Sequence, residues 1–218
     1  MSAFERGCPQ IDLNLSARTK DLRRGVTLAF RPPPAVLEKA GNFIERLARV
    51  ASEQYCYRPE ELHVTVLAVI SGTESWRKGM RELPACRAVI QKVLSQCRPF
   101  KIHFQGVTAS PGAVMIQGFP AGDALEKMRH QLRTAFAKNG LGDRLDRRYK
   151  ITAAHMTILR FCRPGTDGKR LAAWLAENRN ENFGEMEVSL LQLVWGDWYA
   201  SANVVRTLQE FRLLEPVD

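Results

Sequence analysis

Two of the four histidines in this 218-residue chain stand in the same small pattern. His63-Val64-Thr65 lies within an apolar run, and His155-Met156-Thr157 lies within another, 92 positions further on. Imidazole is the side chain whose ordinary pKa, about 6.5, is nearest neutrality, so it can give or take a proton under mild conditions. Two imidazoles flanking a phosphodiester can divide the work of cleaving it. One, neutral, takes a proton from the attacking water; the other, protonated, gives one to the departing alkoxide. A threonine hydroxyl two residues on can donate to a non-bridging phosphate oxygen as negative charge develops there. His63, His155, Thr65 and Thr157 are therefore the candidate catalytic set.

Strands must position them. Side chains alternate between the two faces of a strand, so His63 and Thr65 share one face while Leu62, Val64, Val66, Ala68 and Ile70 take the other. In the second copy His155 and Thr157 oppose Ala154, Met156 and Ile158. Each strand would bury an apolar face and show an imidazole beside a hydroxyl on the opposite one. Plain alternation sends Arg160 to the back face, unless a bulge or a strand end redirects it.

The remaining elements follow from pattern. A short strand at 26–30 is stopped by Arg31-Pro32-Pro33-Pro34, because proline cannot donate to a ladder. Pro34 is suited to open a helix, which runs to about 51 with Val36, Ala40, Phe43, Ile44 and Leu47 on one face. The first motif strand spans about 61–70, and a helix follows at about 84–96. A strictly alternating strand at 100–105 leads through Ser110-Pro111-Gly112 into 113–118, a hairpin. A helix at 123–138 turns Leu125, Met128, Leu132 and Phe136 inward and stops at Asn139-Gly140. The second motif strand (153–161), a helix (169–177) and two closing strands (187–195 and 204–213) complete the chain. The order amounts to a β-α-β-like half used twice.

The paired pattern, with His155-Met156-Thr157-Ile158-Leu159-Arg160 as its second copy, resembles the 2H phosphoesterase superfamily, the LigT-like RNA 2′,3′-cyclic phosphodiesterases. The resemblance extends from about Gly25 to the C-terminus. It implies an α+β fold of two pseudo-symmetric lobes, with antiparallel sheets facing a central cleft and helices outside. It also implies His63 and His155 as the catalytic pair, Arg160 as the arginine often found in the second copy, and loss of the 3′ oxygen to leave a 2′-phosphate. Residues 1–22 lie outside it and read as a tail or an added edge segment; 23–218 read as one bilobal domain.

Composition bounds the partners. The formal charge of +9 and isoelectric point near 9.6 favour anionic ligands, and RNA or a cyclic nucleotide is the natural candidate. Arg144, Arg147, Arg148 and Lys150 form a basic segment ahead of the second motif that could steer RNA. Trp198 and Tyr199, in the loop between the closing strands, could stack a base. His103 and His130 read as solvated. Five scattered cysteines without Cys-x-x-Cys spacing fit a reduced, cytoplasmic protein rather than a disulfide or zinc scaffold. Neither histidine motif brings the three ligands of a catalytic zinc, and no glycine-rich phosphate loop or Gly-x-Ser-x-Gly is present. No metal, cofactor, membrane span or obligatory protein partner is expected. Hydrolysis of cyclic ADP-ribose phosphate or of 2′-5′ oligonucleotides, and a non-catalytic nucleotide-binding module, are the alternatives.

Overall fold

The computed structural model of the chain describes residues 9–16, 20–145, 153–165 and 167–214. In chain order the elements are α1 (Leu13–Ser16), β1 (Arg24–Phe30), α2 (Pro34–Val50), β2 (Tyr55–Cys56), β3 (Val64–Thr73), α3 (Trp76–Met80), α4 (Leu83–Leu94), β4 (Phe100–Ser110), β5 (Ala113–Pro120), α5 (Ala124–Lys138), β6 (Ala154–Arg160), α6 (Gly168–Glu177), β7 (Asn182–Val188), β8 (Leu190–Gly196) and β9 (Arg206–Arg212). They form two antiparallel sheets, ordered β3-β1-β8-β9 and β2-β6-β5-β4-β7. The α+β class and the two-sheet architecture are those the sequence implies.

The helices form where apolar spacing and punctuation direct them. Pro34 opens α2 at a position where its missing N–H costs nothing, and Val36, Ala40, Phe43, Ile44 and Leu47 are its buried stripe. Helix α2 lies against β7, while α4 packs on α5 and β9, and α5 reaches β3. Phe43 is edge-on to Phe183 at 5.3 Å and tilted to Trp174 at 5.2 Å, tying α2 to β7 and α6.

Several expected boundaries move. The first motif strand begins at Val64, because Pro59–Glu61 closes into a 3₁₀ turn ahead of it, and it runs on to Thr73. The expected closing strand 187–195 is two strands in different sheets: β7 pairs with β4 and β8 with β1. The chain changes sheet at exposed Ser189, whose carbonyl is taken up by the Leu213 amide at 2.8 Å. The two-residue β2 and the short α3 carry too few residues for a period to show.

Residues 9–16 lie on the body of the molecule. The amides of Gln10 and Asp12 donate to the carbonyls of Pro111 (2.7 Å) and Phe161 (2.8 Å), and Leu15 is buried.

Candidate active site

Strands β3 and β6 stand at or near the edges of their separate sheets and touch each other. The patterns of burial along 62–68 and 154–160 are identical: buried, half-buried, buried, half-buried, then two buried residues in succession, then half-buried. The doubled step is a β-bulge in each strand. In the β1–β3 ladder Ala29 pairs with Thr65 and Leu28 with Leu67, leaving Val66 as the extra residue. In the β5–β6 ladder Met115 pairs with Thr157 and Val114 with Leu159, leaving Ile158. The two bulges fall at equivalent places in the two motifs.

A bulge shifts the phase of everything beyond it, and the consequences correct plain alternation twice. Ala68 returns to the face of His63 and Thr65 and lines the cleft, while a second register shift, at Val69, keeps Ile70 paired with Val26 on the buried face. Arg160 likewise comes round to the face of His155 and Thr157. There its Nε donates to the Tyr57 hydroxyl at 2.9 Å, and its guanidinium lies 5.8 Å from the ring centre of Trp198. The residue in the first motif that corresponds to Arg160 is Ala68.

One cleft thus gathers His63, Thr65, His155, Thr157, Arg160 and Trp198. Its floor on the β1 side is kept flat by Gly25, where a Cβ would stand 2.7 Å from the Ile70 carbonyl oxygen. Tyr199 is not part of it. That ring is completely buried, and its hydroxyl donates to Asp12 at 3.1 Å and accepts from Arg23 at 3.1 Å, so it cannot stack a base. Burial and the neighbouring Asp12 carboxylate push the phenol well above its ordinary range. Arg147, Arg148 and Lys150 lie outside the described residues, and of Arg144 only the backbone, in a 3₁₀ turn, is described. His130 is exposed and His103 half-buried.

Each imidazole is held by its own backbone. The His63 Nδ1 lies 2.9 Å from the Glu61 carbonyl oxygen, so Nδ1 carries the proton and Nε2 is the basic nitrogen of the neutral ring. His155 makes the corresponding backbone hydrogen bond at Ala153, again two residues back. Burial is the main cause that holds both imidazoles below their usual pKa. For His63 the charges of Arg31 and Arg160 add to it, and for His155 those of Arg129, His63 and Arg160, while the backbone bonds oppose it. The pair is poised for a ligand that brings negative charge.

Three cleft-side contributors carry no motif. Arg31 is the first residue past β1 and lines the cleft with Thr27 and Ala29, at the alternating spacing that could have found it. Tyr57 orients Arg160, and nothing in its sequence context marks it. Arg129 sits at the inward position four residues after Leu125 on α5, an unusual place for a charge and hence a legible one. Among the described residues no cluster of three or more His, Cys, Asp or Glu side chains is arranged to hold a metal ion. No described helix is long and apolar enough to cross a membrane.

The fold has counterparts among known proteins. The family model for the 2′-5′ RNA ligase superfamily matches residues 32–198. No curated protein matches the chain. Among solved structures, TT0787 of Thermus thermophilus superposes with a TM-score of 0.66 at 18% identity, over 87% of this chain and 97% of that one. E. coli LigT in its apo form gives 0.62 at 12% identity, over 88% and 98%. The same protein complexed with 3′-AMP gives 0.59 at 14%, over 88% and 99%. At such identities these likenesses speak for the fold.

Proposed function

Because the chain belongs to the 2′-5′ RNA ligase superfamily of 2H phosphoesterases, we propose that it is a metal-independent phosphodiesterase that opens 2′,3′-cyclic phosphates on RNA ends or nucleotides. The observation that carries this reading is the convergence of two His-x-Thr units, with Arg160 brought alongside by its bulge, on a single cleft. In this reading the phosphate sits between His63 and His155. One imidazole removes a proton from water and the other protonates the departing ribose oxygen. Thr65 and Thr157 donate to the non-bridging oxygens, and Arg160, oriented by Tyr57, neutralises their charge. Trp198 offers its face to the base. The net positive charge of the chain favours RNA by long-range electrostatic attraction.

In-line displacement requires the acid opposite the incoming water. With the two rings on separate strands, only one ribose oxygen can lie beside the acid for a given pose. The family resemblance implies loss of the 3′ oxygen and a 2′-phosphate product. The experiment is turnover of 2′,3′-cyclic nucleotides, a cyclic-ended RNA, a 2′-5′ dinucleotide and cyclic ADP-ribose phosphate, with products resolved by phosphorus NMR. A single 2′-phosphate isomer is expected. Selective turnover of the 2′-5′ dinucleotide or of cyclic ADP-ribose phosphate would transfer the same chemistry to that substrate. An equal mixture of isomers would remove the positioned acid, and binding without turnover would leave a nucleotide-binding module.

A further inference from the structure

Arg129 lies beneath the cleft on α5 with 2% of its surface exposed. An ionised side chain is found so deep only where its donors are satisfied. Its Nε donates to the Val66 carbonyl at 3.1 Å; one terminal nitrogen donates to the Thr65 carbonyl at 2.8 Å and the Ala153 carbonyl at 3.3 Å. Thr65 and Val66 are the bulge of the first motif strand, and Ala153 is the residue whose backbone holds the His155 ring. The carbonyls belong to two segments that enter different sheets. A single planar fork therefore joins the two halves of the site at their backbones.

We propose that Arg129 is a positioning residue for the reaction of the preceding section, and that its guanidinium sets the separation and the relative tilt of the two His-x-Thr units. The fork shape is what the task requires. A lysine ammonium is a point donor on a flexible stem, whereas the guanidinium holds its N–H groups at fixed angles. The claim rests on the two-histidine reading only for its kinetic consequence; the clamp itself is read from geometry.

Arg129 also acts on His155 by charge. His155 is faced by Arg129 from α5, by His63 from the end of the first motif and by Arg160 from its own strand. Asp123, just before α5, and Glu126, in its first turn, line a second cavity that reaches both His155 and Arg129. The arginine's positive charge opposes protonation of His155, so its removal lets that imidazole titrate at higher pH.

The test uses the full chain with Arg129→Met and Arg129→Lys. It reads kcat and KM on a 2′,3′-cyclic nucleotide, melting temperature, and the NMR titration of the His155 ring. For Arg129→Met, kcat should fall roughly tenfold to a hundredfold, the scale of a misplacement of about 1 Å at a reacting centre, while KM moves far less. Its His155 midpoint should rise. Arg129→Lys keeps the charge and should leave the midpoint near the wild-type value, with kcat still reduced. A purely structural arginine would lower the melting temperature and leave both the kcat-to-KM split and the midpoint alone; that result overturns the proposal. Should Arg129→Met fail to fold, Arg129→Lys with wild-type kcat overturns it equally. If wild type turns over no phosphodiester, the enzymatic reading fails, and the clamp is decided by the backbone amide NMR shifts of 65–67 and 153–155 in Arg129→Lys: movement in both segments supports it, and shifts unchanged in both overturn it.

Discussion

At the scale of single residues, the four motif side chains are asked for different amounts. His63→Ala and His155→Ala should each slow the chemical step by roughly a hundredfold or more, as loss of a general acid or base does. The double variant should be little worse than either single one, because the two act as a unit. A single-turnover assay with full rate in His63→Ala would end the two-histidine mechanism. Arg160→Ala should cost about 1.5–3 kcal/mol of charged hydrogen bonding, or roughly ten- to a hundredfold in kcat/KM. Tyr57→Phe, which removes one hydrogen bond to Arg160 and keeps its charge, should cost no more than that, and no cost at all would mean that the Tyr57 hydroxyl does not orient Arg160. The pH profile has a sign as well. Burial holds both imidazoles below the usual value, so the kcat/KM bell, which reports the free enzyme, should centre on the acid side of about 6.5. A bound phosphate anion favours the protonated rings, so the kcat bell should lie at higher pH than the kcat/KM bell. Coincident bells would mean that the phosphate does not sit against the histidines.

At the scale of elements, the bulges decide what the strands display. The His-x-Thr repeat was legible because both copies preserve a two-residue spacing in an apolar setting. The bulges left a fainter trace, the adjacent apolar pairs Val66-Leu67 and Ile158-Leu159 that interrupt the alternation. Which of two apolar neighbours becomes the extra residue is settled by the partner strand, and no single strand's sequence contains that. The same limit applies to Tyr199, whose loop position looked open until the N-terminal segment supplied Asp12 as its partner. It applies again at Ser189, where one apolar run serves two sheets. Deleting Ile158 should remove the second bulge and still leave Arg160 on the face of His155 and Thr157, because strict alternation then carries it there. The folded variant should therefore keep kcat/KM well above that of Arg160→Ala, measured beside its melting curve. A folded deletion variant as slow as Arg160→Ala would show that the bulge itself, and not the phase it sets, places the guanidinium.

At the scale of the whole molecule, the site costs the fold stability in acid. An imidazole whose folded pKa lies below its unfolded value binds fewer protons folded than unfolded between those two values. The stability it contributes above about pH 6.5 is therefore lost as the pH falls through the folded value. Calorimetry should find the wild-type melting temperature dropping more steeply below about pH 6.5 than that of a His63→Gln, His155→Gln double variant. Parallel curves would place the acid sensitivity elsewhere. The position shared by Ala68 and Arg160 has a larger consequence. Two halves that offered the same imidazole, hydroxyl and cation would make a cleft with no head or tail, and a phosphate could enter it either way round. A methyl group on one strand and a guanidinium on the other give the cleft a direction. Ala68→Arg would erase that direction, and it should let the cyclic phosphate bind in both senses and yield both product isomers from an enzyme that had made one.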